Sequence, residues 1–150
     1  MTIRTKIYFT GIVVLLSVLV VGVFKSFPGG MFLSAHASSS PSKATLQKLL
    51  PDTVGAGKPV ILDFYTSFCL ACQKIKPKLE KVAAAPPSVV LKRISLENPD
   101  STTQALSKLF GISTAPYVVF ISGNGTVKNT FLEDTDMGEL QNAKQAILKK

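Results

Sequence analysis

Cysteine and histidine are scarce in this chain, and tryptophan is absent. The 150 residues include two cysteines, Cys69 and Cys72, and one histidine, His36. A structural zinc site needs about four ligands, most often from these two residue types. Because His36 lies in a Ser-rich stretch far from both cysteines, one chain cannot complete such a site, and we expect no metal.

Acidic residues are also few. Nine acidic residues oppose 17 Lys and Arg, which gives a formal net charge of +8. Residues 1–51 contain five basic residues and no acidic one, so more than half of the excess lies there. Four lysines between 74 and 81 recur around a predicted helix, which indicates a solvated face with, at most, a preference for acidic partners. We therefore expect no nucleic-acid binding.

Residues 7–24 contain no charged residue at all. This run of 18 residues approaches the roughly 20 that span a bilayer as a helix, and Arg4 and Lys6 precede it. The positive-inside tendency then keeps the N-terminus in the cytoplasm or stroma. We predict a membrane anchor within residues 1–26, with the rest of the chain on the extracytoplasmic side, in a periplasm or a thylakoid lumen.

The alternative to an anchor is a cleaved secretory signal. Ala35-His36-Ala37 has the small-x-small form of a cleavage site. It begins well beyond Phe24, which is distant for such a site, so we favour the uncleaved anchor; cleavage after Ala37 would give a secreted form. Residues 27–42 are rich in Pro, Gly and Ser and are predicted to be a linker to a folded domain at residues 43–150.

The two cysteines form a C-x-x-C motif, Cys69-Leu70-Ala71-Cys72, between a strand-like apolar run and a helical pattern. Two intervening residues allow the thiols to form a disulfide across the first turn of the helix. Cys69 would then lie at the helix N-terminus, where free N–H groups and the helix dipole lower the pKa of a thiol. Cys72, one turn later and more buried, could resolve a mixed disulfide formed by Cys69.

Asp63 interrupts the apolar run 60–65, which is otherwise typical of a central strand covered on both faces. Burial of an ionisable group is costly, and it should raise the pKa of this carboxyl. A functional role for this carboxyl and a carboxylate hydrogen-bonded to nearby amides are both consistent with the sequence, and we favour the first.

The order of predicted elements indicates an α/β fold. The first strands follow βαβ logic and are parallel, whereas Gly123-Asn124-Gly125 predicts a hairpin between the last two. The result is a mixed four-stranded sheet with helices on both faces. The elements are helix 43–50, strand 60–65, helix 70–85, strand 88–96, helix 98–110, strands 117–122 and 126–132, and a helix after 136.

Together these features resemble the thioredoxin-like family, in its membrane-anchored extracytoplasmic form. The resemblance is close over residues 57–128 and looser over 43–150. It rests on Asp63 within its strand, the C-x-x-C motif after it, Pro77 five residues beyond Cys72, and the segment 110–116 before an apolar strand. The chain departs from the family at Phe68, where a tryptophan is usual, and at Leu70-Ala71, where the reductants often carry Gly-Pro.

The resemblance implies roles for several residues. Asp63 would exchange a proton with Cys72. The Ala115–Pro116 bond would be cis and lie beside Cys69, where Thr114, Ala115 and Pro116 would bind an extended substrate chain together with Phe68. A basic residue would lie near the buried aspartate, and Lys92 and Arg93 both fit that place.

The function that these expectations predict is a membrane-tethered thiol–disulfide oxidoreductase, with reduction of protein disulfides favoured. Its partners would be proteins with disulfides or dithiols and, for a reductase, a membrane electron donor. No cofactor is expected. The alternative is a binding or chaperone module in which Cys69 and Cys72 form a static disulfide.

Overall fold

A computed structural model describes residues 41–149; the predicted anchor and the candidate cleavage site at Ala37 lie outside this range. The described chain contains four helices and four strands: α1 (Lys43–Leu49), β1 (Val60–Tyr65), α2 (Leu70–Ala84), β2 (Val90–Ser95), α3 (Ser101–Phe110), β3 (Tyr117–Ile121), β4 (Val127–Phe131) and α4 (Met137–Leu148). Over residues 41–149, none of the helices has the length and apolar character that a membrane span requires.

The strands form one mixed sheet in the order β2-β1-β3-β4. β1 pairs in parallel with β2 and antiparallel with β3, and β3 pairs antiparallel with β4. The parallel pair is joined through α2, as a crossover connection requires, and β3 and β4 are joined by the predicted hairpin. The predicted sheet is therefore confirmed.

Helices cover both faces of the sheet, as predicted. Side chains alternate along β1, so that Ile61 joins one apolar core and Leu62 the other. The first core contains residues of α2 and α4, among them Leu79 and Leu140. The second contains residues of α1 and α3, among them Leu46. β1 is buried on both sides, which explains its nearly continuous apolar sequence.

The helix before β3 is shorter than its predicted range 98–110. Asn98 has a positive φ of 53°, which ends the preceding segment, and the side chain of Asp100 accepts a hydrogen bond from Thr103 N. That bond makes Asp100 the N-cap, so α3 begins at Ser101. Residues 98–100, which were predicted to form the first turn of the helix, instead form the loop before it.

The two ends of the sheet have different neighbours. β1 begins at Val60, opposite Ile121 and close to the β3–β4 hairpin. A Cβ placed on Gly125 of that hairpin would lie 2.8 Å from Lys43 Cγ, so the start of the described chain packs at this end. β1 ends at Tyr65, about 17 Å further along at roughly 3.3 Å per residue, and leads into Cys69. The chain therefore enters the domain at the end opposite the C-x-x-C motif.

Lys144 is a buried lysine that the apolar pattern of α4 did not predict. It is 3% exposed, and its Nζ donates to Val82 O at 2.9 Å and to Ala85 O. Val82 lies in the last turn of α2 and Ala85 is its C-cap, so no intrahelical N–H remains to pair with either carbonyl. A cation at a helix C-terminus also interacts favourably with the helix dipole.

We expect Lys144→Met to lower the free energy of unfolding by about 2 kcal/mol, because hydrogen bonds that involve a charged group contribute roughly 1.5–3 kcal/mol. Urea unfolding followed by circular dichroism measures this loss. Lys128→Met, at an exposed position of β4, is the control and should change little. Equal effects of the two substitutions would show that the contact with α2 adds no stability.

Candidate active site

Cys69 and Cys72 form a disulfide at the N-terminus of α2. Cys69 is the N-cap of this helix, and its Sγ accepts a hydrogen bond from Cys72 N at 3.0 Å. Cys72 is 2% exposed, whereas Cys69 is half-buried. The structure thus confirms the predicted helix start and the more buried second cysteine. In the reduced protein the same amide and the helix dipole would stabilise a Cys69 thiolate.

Asp63 is fully buried in β1, and its partner is a cation. Arg93 Nε donates to Asp63 Oδ2 at 2.7 Å, and Asp63 Oδ1 has no hydrogen-bond partner within residues 41–149. Burial raises the pKa of Asp63 above its ordinary value, against the hydrogen bond and charge of Arg93, which lower it. Among the described residues no amide donates to this carboxyl, so the alternative in which nearby amides satisfy it is not observed there.

The strand register decides between Lys92 and Arg93 as the neighbour of Asp63. In the parallel pair of β1 and β2, Asp63 lies opposite Arg93, whereas Lys92 lies opposite Leu62 and is exposed. Laterally paired residues share a face of the sheet, so Arg93 and Asp63 meet. The Arg93 guanidinium also lies 4.1 Å from the centroid of the Tyr65 ring, a cation–π contact that helps hold it in place.

A cavity of about 160 Å³ lies beside Cys72. Its lining residues are Tyr65, Thr66, Ser67, Cys72, Gln73, Lys76 and Arg93. A water molecule occupies about 30 Å³ in the liquid, so this volume can hold several. Since the cavity touches both Cys72 and Arg93, the partner of Asp63, water can approach the buried cysteine from the side of the ion pair.

The loop before β3 has the geometry that the resemblance implied. The Ala115–Pro116 bond is cis; the Pro86–Pro87 bond, which was not predicted, is cis as well. Tyr117 pairs with Phe64, so Pro116 lies at the end of the sheet where β1 leads into Cys69. Thr114 is exposed, Ala115 is half-buried and Pro116 is buried. Their role in substrate binding remains a prediction.

Large apolar side chains flank Cys69 on both sides. Phe68 is 85% exposed and Leu70 is 72% exposed. Exposed apolar residues that cluster on a surface indicate an interaction site. The sequence predicts that Phe68 contacts substrate, whereas at Leu70 it shows only a departure from the family pattern.

Glu97 is a residue of the site that the sequence reasoning missed. Its Oε1 accepts hydrogen bonds from Ser67 N and Ser67 Oγ, each at 2.6 Å. Ser67 follows β1 and Glu97 follows β2. The carboxyl ends of parallel strands meet at one edge of a sheet. Since β1 and β2 are parallel, this rule could have predicted that Ser67 and Glu97 lie close together.

The comparison with known protein families agrees with this geometry. The family model described as Thioredoxin matches residues 42–145, which is more than half of the chain. The chain therefore belongs to the thioredoxin family. The match includes the whole of the sheet and the C-x-x-C motif.

Individual relatives match shorter segments. The thioredoxin of Alicyclobacillus acidocaldarius is 34% identical over 73 residues, which cover 47% of this chain and 65% of that protein. The mitochondrial thioredoxin of Bos taurus is 33% identical over 98 residues, 65% of this chain and 54% of that protein. The chain thus spans less than two thirds of the length of these curated relatives.

Among solved structures, thioredoxin F from spinach chloroplast (short form) is similar to this chain with a TM-score of 0.51 and 28% identity. The alignment covers 66% of this chain and 85% of the spinach protein. This likeness supports the assignment of the fold.

Proposed function

We propose that this protein is a thiol–disulfide oxidoreductase that exchanges the Cys69–Cys72 disulfide with disulfides or dithiols of partner proteins. The observation that carries the proposal is the position of Cys69. Its sulfur caps α2, accepts the Cys72 amide and lies between two exposed apolar side chains. A sulfur placed in this way combines a stabilised thiolate with a surface for a partner.

In the reducing direction, the Cys69 thiolate attacks a partner disulfide, forms a mixed disulfide and releases one partner thiolate. Cys72 then loses its proton and attacks the Cys69 sulfur, which releases the second partner thiolate. The partner gains two electrons, and the Cys69–Cys72 disulfide is formed. The reverse sequence oxidises a partner dithiol.

Asp63 is proposed to take the proton of Cys72 in the resolving step. A raised pKa brings a carboxyl closer to the range where it can both accept and return a proton near neutral pH. The cavity beside Cys72 is also lined by Arg93, the partner of Asp63, so it supplies space for water between the thiol and Arg93. Arg93 would hold the carboxylate in one orientation through the transfer.

Equilibration with glutathione buffers tests the activity. We expect reversible oxidation and reduction, with a potential in the range of about −270 to −120 mV that known catalysts span. Acid quenching and alkylation, followed by mass spectrometry, measure the reduced fraction. A disulfide that fails to equilibrate, or one with a potential below about −300 mV, would instead favour a binding module with a static bond.

We further propose that residues 7–24 tether the domain to a membrane, with the redox site on the extracytoplasmic side. The uncharged run and the preceding Arg4 and Lys6 support this. The start of the described chain packs at the end of the sheet opposite Cys69. As a reductase, the protein would need a membrane dithiol donor to return two electrons to Cys69 and Cys72.

Alkaline carbonate extraction of membranes tests the tether. We expect the full-length chain to stay in the membrane pellet, because a spanning apolar helix is not released by high pH. A variant that lacks residues 1–26 is the control and should be soluble after extraction. A mature chain that starts at Ser38 in the soluble fraction would show that the segment is a cleaved signal.

A further inference from the structure

Every hydrogen-bonding group of Ser67, main chain and side chain, is held by another side chain. Its N–H and its hydroxyl both donate to Glu97 Oε1, at 2.6 Å each. Its carbonyl oxygen accepts from Gln73 Nε2 at 3.2 Å. Serine in a surface loop usually pairs some of these groups with water. Here Ser67, two residues before Cys69, is hydrogen-bonded both to Glu97, which follows β2, and to Gln73 in α2.

Glu97 is itself held in place by the sheet. Leu96 N donates to Tyr65 O at 2.9 Å, which extends the pairing of β1 and β2 by one step. Glu97 N donates to Ser95 Oγ at 3.2 Å. The two hydrogen bonds from Ser67 lower the pKa of the Glu97 carboxyl, so it is ionised at neutral pH. Charge-assisted bonds of this kind are stronger than neutral ones.

The anchored loop determines where the reactive sulfur lies. Cys69 N donates to Thr66 O at 3.4 Å, so residues 66–69 form a tight turn around Ser67. Phe68, between Ser67 and Cys69, is 85% exposed, so its packing constrains the turn little. Cys69 is tied to α2 itself by the bonds from Gln73 N to its carbonyl oxygen at 3.1 Å and from Cys72 N to its Sγ at 3.0 Å, whereas the bonds to Ser67 fix the loop that leads into it.

We propose that Glu97 is a positioning residue for Cys69, which it holds at the N-terminus of α2 through Ser67. This inference rests on the proposed exchange function. It assigns Glu97 no contact with substrate and no proton transfer. It predicts that the two hydrogen bonds accepted by Glu97 affect the reactivity of Cys69, and that this effect is separate from the effect of the negative charge of Glu97.

Charge and anchoring can be separated by two substitutions at the same position. Glu97→Gln removes the negative charge but keeps a side-chain oxygen that can accept from Ser67. Glu97→Ala removes the charge and the acceptor. A negative charge near a thiolate raises the thiol pKa, so loss of charge alone lowers it in both variants. Any difference between the two variants reports the hydrogen bonds.

The experiment measures the pH dependence of Cys69 alkylation by iodoacetamide in the reduced full-length protein, together with the rate of exchange with oxidised glutathione. We expect the pKa of Cys69 to be higher in Glu97→Ala than in Glu97→Gln, and exchange to be roughly tenfold slower, since misplacing a reacting group by about 1 Å can cost up to about 10²-fold. Ser67→Ala keeps the charge of Glu97 and the N–H bond but loses the hydroxyl bond, so relative to wild type it should raise the pKa of Cys69 and slow exchange, by less than Glu97→Ala does relative to Glu97→Gln. Glu133→Ala, at an exposed position, controls for charge.

Identical pKa values and rates in Glu97→Ala and Glu97→Gln would overturn the positioning role. A wild-type protein that does not exchange with glutathione at all would instead refute the proposed function, so the two failures are distinct. Thermal unfolding of each variant checks that it is folded. If Glu97→Ala fails to fold, the comparison of Ser67→Ala with wild type decides, and equal reactivity of these two would likewise reject the role.

Discussion

Cys72→Ser is expected to accumulate partner proteins as stable mixed disulfides on Cys69, and Cys69→Ser to accumulate none. Without Cys72, nothing in the motif can attack the intermolecular bond once Cys69 has formed it. In Cys69→Ser the remaining thiol is 2% exposed, which keeps it from a partner disulfide. Catalysed turnover should fall to the background rate in both variants.

Non-reducing electrophoresis of the full-length variants, after reaction with a disulfide-containing model protein, measures the trapped complex. The double variant Cys69→Ser/Cys72→Ser is the control and should give no adduct. In Cys72→Ser, the pKa of Cys69 should lie below that of a free thiol, because the N-terminus of α2 stabilises the thiolate. Equal trapping by both single variants, or trapping by Cys69→Ser alone, would show that the assignment of the nucleophile is wrong.

Arg93→Met is expected to destabilise the folded protein by about 3 kcal/mol at neutral pH. The substitution leaves a buried carboxylate without its cation, a change that commonly costs roughly 3–5 kcal/mol. The lower end applies because the Arg93 side chain is 25% exposed, so solvent already screens the pair. Adding Asp63→Asn in the same chain should recover most of the loss, because the charge that lacks a partner is then gone.

The pH dependence of stability follows from the raised pKa of Asp63. An exposed aspartate in the unfolded chain ionises near pH 3.9, before the buried group does. Above that pH the folded state retains the proton longer than the unfolded state, so the contribution of Asp63 to stability falls as pH rises through the folded pKa. Asp63→Asn should remove this decline, and Arg93→Met should extend it to higher pH.

Chemical denaturation at a series of pH values measures these effects as a double-mutant cycle. Losses that simply add would indicate that Arg93 stabilises the fold by its contact with Tyr65 and not through Asp63.

The same variants separate stability from catalysis. If Asp63 takes the proton of Cys72, Asp63→Asn should slow the resolving step by about a hundredfold, the lower range for general-base catalysis, while initial attack by Cys69 is unchanged.

The sequence alone was sufficient to predict the elements whose structure depends on residues nearby in the chain. β1 occupies the residues predicted from its apolar run, Val60–Tyr65, and α2 begins at the residue after Cys69 as predicted. The β3–β4 hairpin follows from Gly123-Asn124-Gly125, where Gly125 has a φ of 83° that other residues rarely adopt. The cis bond at Pro116 came from the family resemblance, since local sequence favours trans.

Tertiary structure decided the contacts between distant residues. Whether Lys92 or Arg93 meets Asp63 depends on strand register, because a slip of one residue moves every side chain to the other face of a sheet. Glu97 and Ser67 are 30 positions apart, and Lys144 reaches carbonyls about 60 positions away. No periodicity encodes such pairs. The composition and spacing of this chain were thus sufficient to predict its fold and the position of its two cysteines. Only the tertiary packing determined which charged groups pair with one another around the site.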